Sequence, residues 1–246
     1  MIRISNIHKS YGKKGVLIDV NAEISEKKIT AILGPNGAGK TTLIKSILGH
    51  VIPEKGKILI SGKNIINSWE YKSKIGYMPQ IANLPENLTP NELIKMIQDI
   101  RGVDGHRCKY VSMFDYEEMM DKPFRTLSGG TKQKVSATIA FMFDAPILIF
   151  DEPTVGLDPI ARLKLKDVIK QEKTKGKTIL LTTHIMSEVE ELADEIMFIL
   201  DGKIYFHGQV EILKALYDED DLERAIAKIL EGNNSIQKAA IRKIKQ

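Results

Sequence analysis

Residues 29–42 constrain this chain more than any other stretch. The apolar run Ile29-Thr30-Ala31-Ile32-Leu33 breaks into Gly34-Pro35-Asn36-Gly37-Ala38-Gly39-Lys40-Thr41, and Thr42 leads on to Leu43, Ile44, Ile47 and Leu48 at helical spacing. A buried strand, a glycine-rich turn and an amphipathic helix in succession give the G-x-x-x-x-G-K-[ST] pattern the context it requires. Glycines let backbone N–H groups turn inward around phosphate oxygens, and the helix N-terminus adds partial positive charge. Lys40 is placed to reach the β- and γ-phosphates and Thr41 to ligate Mg2+, with Gly34, Pro35, Asn36, Gly37, Ala38, Gly39 and Thr42 completing the cradle. The bland alternative, a glycine turn with an exposed lysine, does not explain the flanking strand and helix.

The other half of such a site is a carboxylate at the end of a buried strand, and Ile147-Leu148-Ile149-Phe150-Asp151-Glu152 offers two in succession. Neighbours on a strand point to opposite faces, so one can hold the metal while the other faces the attacking water. Asp151 is assigned to Mg2+ and Glu152 to the general base. Alone, a strand ending in Asp-Glu is commonly a solvated terminus; the glycine loop upstream decides the reading.

Apolar runs at 29–33, 147–150 and 178–183 alternate with helical patterns, which predicts an α/β fold with a mainly parallel sheet. Residues 1–9, 16–24 and 57–61 read as strands, the last two antiparallel, and 196–200 with 203–206 read as a hairpin turned by Asp201-Gly202. A mixed sheet core with antiparallel additions is expected. Between about residues 84 and 143 helix signals take over, opening with the capping box Thr89-Pro90-Asn91-Glu92, as in an inserted α-helical subdomain. Leu222, Ala225, Ile226, Ile229 and Leu230 keep helical spacing near the end, and a lysine- and arginine-bearing segment follows Gly232. Residues 1–208 are thus expected to form a nucleotide-binding domain and 209–246 a helical C-terminal extension.

Composition removes several other classes. The chain's 43% hydrophobic and 28% charged residues are those of a globular protein. A single cysteine, Cys108, allows neither an internal disulfide nor a cysteine-based metal centre and fits a reducing compartment. Five histidines without ligand-like clustering offer no copper site, and Met113, Met119 and Met120 read as packing residues. No run approaches the roughly 18 apolar residues of a membrane span, and the opening residues lack the apolar block of a secretory signal. A cytoplasmic location is expected. The net charge of +4 is dispersed, as on a solvated face, and predicts no nucleic-acid partner.

Leu127-Ser128-Gly129-Gly130-Thr131-Lys132-Gln133 precedes a helix carrying Val135, Ile139 and Met142, and its bare amides make a second anion site. This segment resembles the signature motif of ABC ATPases. Tyr11, Gln80 in Tyr77-Met78-Pro79-Gln80, Gly156-Leu157-Asp158, and His184 ahead of a cap-like Ser187-x-x-Glu190 stand in that family's order. Each is weak alone; the order carries the resemblance, which spans nearly all of residues 1–208. It implies the P-loop NTPase fold of ABC ATPases, with ATP and Mg2+ as cofactors and ATP hydrolysis as the activity. By resemblance Tyr11 stacks on adenine, Gln80 contacts Mg2+ and water, and Ser128, Gly129, Gly130 and Gln133 meet the γ-phosphate held by the opposite subunit. Asp158 aligns the two sites, and His184 hydrogen-bonds the γ-phosphate. The implied partners are a second nucleotide-binding subunit, in a homodimer or with a close relative, and a separate multispanning membrane subunit served from the inner face of the cell membrane. The departures are mild: Lys134 where arginine is common and Thr131 where glutamine is.

More narrowly, Val155-Gly156-Leu157-Asp158-Pro159 resembles the group paired with ABC-2-type membrane subunits, mostly exporters. Residues 75–82, 85–89 and 129–137 resemble the ATP-binding subunit of the nitrous oxide reductase maturation transporter, which implies service to copper-centre assembly and a periplasmic accessory protein. A soluble ABC ATPase of the iron–sulfur assembly type is compatible with the size. Ile81, Leu84 and Leu88 read equally as a groove for a helix of the membrane subunit and as packing of the helical insertion.

Overall fold

The computed structural model describes residues 1–66 and 68–231. The chain opens with a long hairpin, β1 (Ile2–Tyr11) and β2 (Lys14–Ile24), then β3 (Ile29–Leu33), α1 (Lys40–Ile47), β4 (Lys55–Ile60), β5 (Lys63–Asn64) and β6 (Ile75–Met78). From there to β7 (Ile147–Asp151) every element is helical: α2 (Pro90–Arg101), α3 (Arg107–Met113), α4 (Gly129–Phe141) and short 3-10 turns. The remainder is α5 (Pro159–Thr174), β8 (Thr178–Thr182), α6 (Met186–Leu192), β9 (Glu195–Leu200), β10 (Lys203–Gln209), α7 (Val210–Tyr217) and α8 (Leu222–Glu231).

The core sheet is mixed, as expected, and the other antiparallel strands form a sheet of their own. One sheet of six strands runs β10-β9-β3-β8-β7-β6, parallel except for the terminal β9–β10 hairpin, while β2-β1-β4-β5 make a separate antiparallel sheet of four. Asp201 and Gly202 at φ 48 and 73 supply the positive-φ pair that a two-residue hairpin needs. Strand alternation in the larger sheet sorts side chains into two cores. Ile29, Ala31, Leu33, Leu148, Phe150, Ile196 and Phe198 face α4–α8, whereas Ile32, Ile147, Ile149, Met197 and Ile199 face α1 and the smaller sheet. Covering both faces is what lets parallel strands read as unbroken apolar runs.

Thr89 caps α2 through the reciprocal capping box with Glu92, and Pro90 opens the helix. α4 is part of the main core rather than an outlying helix: Val135, Ala140 and Phe141 are buried, and the Phe141 and Phe150 rings lie 5.2 Å apart. Leu84 and Leu88 pack partly buried against this core, as do Met113, Met119 and Met120, whereas Ile81 is 75% exposed. α7 and α8 dock Val210, Leu213, Leu222, Ala225, Ile226 and Ile229 onto the same core, leaving Leu230 outside. The lysine- and arginine-bearing segment after Gly232 lies outside the described residues. Among those residues no helix is long and apolar enough to cross a membrane.

α6 corrects the expected Ser187 cap. The helix begins two residues earlier, with Ile185 at the cap and no side-chain cap bond; the Ile185 N–H instead donates to the Thr183 hydroxyl at 3.1 Å.

β6 meets α4 through Gly76, where an added Cβ would lie 2.1 Å from the Ala140 carbonyl oxygen. Backbone cannot yield as a side-chain tip does, so Gly76→Ala is expected to cost about 1–3 kcal/mol of stability, read as a lower urea midpoint at unchanged slope.

Candidate nucleotide site

Parallel register brings four chain segments to one edge of the sheet. Ile32 pairs with Thr182, Thr182 with Asp151, and Phe150 with Met78, so the loops that follow β3, β8, β7 and β6 leave side by side at the carboxyl ends. Ligands of open α/β sheets bind at such an edge. The loops carry Gly34–Gly39, His184, Glu152 and Gln80.

The first loop is held by neighbours that only glycine tolerates. At Gly34, φ 148, a Cβ would lie 2.1 Å from the Ile199 carbonyl oxygen; at Gly39, φ 110, it would lie 2.7 Å from that of Val16. Gly39 also caps α1, whose first turn has no side-chain cap and no acidic residue. The Lys40 ammonium is buried and donates to the carbonyls of Gly34 at 2.6 Å and Pro35 at 3.2 Å, which aims it back across the loop. Burial lowers its pKa, opposed by the charges of Glu152 and Asp151. A cavity of about 300 Å3 opens here, lined by Asn36, Gly37, Ala38, Gly39, Lys40, Thr41 and Thr42 and walled by Tyr11, Gln80 and Glu152. Tyr11, 52% exposed, stands at its rim.

The two carboxylates separate by a backbone reversal, not by strand alternation. β7 ends at Asp151, and Glu152 lies off the strand in left-handed conformation at φ 49. Thr182 imposes this: its carbonyl and its hydroxyl accept from the Glu152 N–H at 3.0 and 2.9 Å, and the same hydroxyl donates to Asp151 Oδ1 at 2.6 Å. The Glu152 side chain then turns outward, accepting from Gln80 Nε2 at 3.0 Å and lying 3.4 Å from His184 Nδ1. Asp151 stays buried, and that burial raises its pKa; the Thr182 bond opposes the shift and the Glu152 charge adds to it. Thr41 and Gln80 line the cavity, and Asp151 lies beside Glu152 without lining it; a hydroxyl, an amide oxygen and a carboxylate are hard-oxygen donors of the kind that suit Mg2+. Among the described residues no group of three His, Cys, Asp or Glu could hold a metal.

Ser128, Gly129, Gly130 and Asp158 do not join this cavity. Ser128 caps α4 by accepting from the Thr131 N–H at 3.1 Å, leaving Gly129 exposed. A Cβ at Gly130 would meet the Gly156 carbonyl oxygen at 3.1 Å, so this cap lies against the loop that leads to Asp158. Asp158 caps α5 through the Ala161 N–H at 2.8 Å and pairs with Lys134 at 3.3 Å. The Ala161 bond, with Lys134, depresses its pKa. Gln133 turns inward, 6% exposed, and donates to the Gln80 carbonyl at 2.6 Å, tying α4 to the β6 loop rather than standing beside the exposed amides.

Sequence reasoning missed Thr182, Lys14 and Val16. Thr182 works through a bond to a strand far away in sequence, and Lys14 and Val16 reach the cavity only because β2 folds back over Gly39.

A family model described as ABC transporter matches residues 17–155. The lantibiotic transport ATP-binding protein SrtF of Streptococcus pyogenes is 37% identical over 86% of this chain and 92% of its own length. The Nod factor export ATP-binding protein I of Ralstonia nicotianae is 31% identical over 85% and 67%. Among solved structures, an ATP-binding subunit of an ABC transporter aligns with TM-score 0.87 at 28% identity, over 94% of this chain and 99% of that one. The dimeric post-hydrolysis cassette MJ0796 with ADP and Pi aligns at TM-score 0.77 and 25% identity, over 85% and 98%.

Because the folded chain raises the Asp151 pKa, its stability cost is absent below the unfolded carboxylate value, about pH 4, and present above the folded one. In buffer lacking Mg2+ and nucleotide, Asp151→Asn is therefore expected to raise the thermal midpoint near neutral pH. The gain should fade as pH drops toward about 4; a gain independent of pH would contradict the cost assigned to the buried charge.

Proposed function

Since the chain belongs to the ABC transporter family as an ATP-binding subunit, we propose that two copies close on two ATP molecules and thereby drive a separate membrane-spanning export subunit. The carrying observation is the split site. Tyr11, the glycine loop, Gln80 and Glu152 share one cavity, whereas Ser128 and the amides of Gly129 and Gly130 present their anion-binding edge elsewhere. A second chain placed head to tail supplies that edge to the first chain's γ-phosphate.

Within each half, Glu152 is the general base, turned into the cavity by Thr182 and steadied by Gln80 and His184. Lys40 and the loop amides bind the phosphates, and Tyr11 offers its ring to the base. Thr41, Gln80 and Asp151 would hold Mg2+, which would supply neutralisation of charge on the phosphates. Gln133 holds the Gln80 backbone, and Asp158 with Lys134 fixes the loop facing the partner. Of Ile81, Leu84 and Leu88, Ile81, exposed next to Gln80, is free to meet the membrane subunit; Leu84 and Leu88 serve packing. The chain works on the inner face of the cell membrane.

Export as the direction is supported by relatives whose names tie them to lantibiotic transport and Nod factor export. The narrower reading, service to nitrous oxide reductase maturation with a periplasmic accessory protein, rests on the wording of residues 75–82, 85–89 and 129–137. Affinity capture from native membranes in mild detergent separates them. A multispanning partner supports the transporter reading, an exported copper-enzyme maturation protein in the same complex supports the narrower one, and soluble partners alone contradict both.

Glu152→Gln is expected to lower ATP turnover by at least about 100-fold while ATP is still bound and the dimer persists by analytical ultracentrifugation. Full turnover in that variant would remove Glu152 from the role of base.

A further inference from the structure

Behind the cavity lies a buried carboxylate that the reaction as described does not use. Glu188, in the first turn of α6, is 5% exposed. Its Oε2 accepts two hydroxyls from different loops, Thr154 at 3.0 Å and Thr183 at 3.2 Å. Its Oε1 has no partner among the described atoms. A carboxylate is costly to bury, and here it faces two neutral donors and, among the described residues, no cation within pairing distance. A packing role would be filled more cheaply by an apolar side chain.

The two threonines explain the choice. Thr154 follows Glu152 by two residues in a turn closed by the Val155 N–H on the Glu152 carbonyl at 3.2 Å. Thr183 immediately precedes His184, and its hydroxyl accepts from the Ile185 N–H, bracketing His184 inside a closed turn. The two turns come from different strands and meet at the Glu152–His184 contact of 3.4 Å. Glu188 Oε2 is the common acceptor that fixes their separation from behind.

We infer that Glu188 is a positioning residue for ATP hydrolysis, pinning the Glu152 and His184 turns together through Thr154 and Thr183. The inference rests on Glu152 as base and His184 as its neighbour. Gln at 188 keeps an oxygen able to accept both hydroxyls; Ala keeps none. A pin acts on the reacting geometry and leaves nucleotide binding alone, so it shows in kcat rather than KM.

The test is steady-state ATP turnover of the full chain in Glu188→Ala, Glu188→Gln, Thr154→Val, Thr183→Val and Glu152→Gln. Glu188→Ala is expected to lower kcat about tenfold with KM for ATP within about twofold, and Glu188→Gln to recover most of it. Each threonine variant should lose part of kcat and add little on top of Glu188→Ala, as members of one unit do. Unchanged kcat in Glu188→Ala, or equal loss in the Gln and Ala variants, overturns the pin while an inactive Glu152→Gln leaves the base intact. Full turnover in Glu152→Gln overturns the base and the pin together. Should Glu188→Ala not fold, the doubly substituted Thr154→Val, Thr183→Val chain decides: reduced kcat at unchanged melting temperature upholds the pin, and unchanged kcat rejects it.

Discussion

The parallel pairing of β3, β8, β7 and β6 is the constraint on which the rest of this molecule depends. Parallel strands leave a sheet at a common edge, and the register here sets Ile32, Thr182 and Asp151 in one row. Four loops with no sequence proximity become neighbours, each bringing one kind of chemistry: amides and an ammonium, a histidine, a carboxylate, and an amide side chain. A register slip between β7 and β8 would carry Thr182 away from both Asp151 and Glu152. Burial on both faces makes such slips expensive, because each alternate side chain belongs to a different core.

Thr182 shows how that scaffold shapes a reacting group. A threonine in mid-sheet offers a carbonyl and a hydroxyl oxygen to a single N–H and donates its own O–H to the adjacent carboxylate. The strand is stopped and Glu152 rotated out while Asp151 stays in. The left-handed backbone of Glu152 is unfavourable for a non-glycine residue and persists because these bonds over-determine it.

Local signals made much of this legible. The strand, glycine turn and helix around Lys40 are contiguous and need no partner to be read, and the Thr89 box and the Asp201-Gly202 turn are equally local. What escaped reading depends on distant partners. Glu152 leaving its strand and the inward turn of Gln133 are each decided by a residue on another segment of the chain. Leu84, Leu88 and Ile81 are chemically alike, and only three-dimensional packing separates the two that are covered from the one that is not.

Gly34 and Gly39 touch carbonyls of Ile199 and Val16, and Gly202 packs against Val16 in turn. The phosphate loop therefore has its motif near the start of the chain and one of its walls near the end. During synthesis the ribosome releases Lys40 long before β8 and β9, the two strands that flank β3, have emerged. At ordinary elongation rates that interval is on the order of 10 s. Over that time the nascent chain carries a complete nucleotide motif with no site in which to seat it, so ATP becomes a ligand of the finished fold and cannot template its early stages.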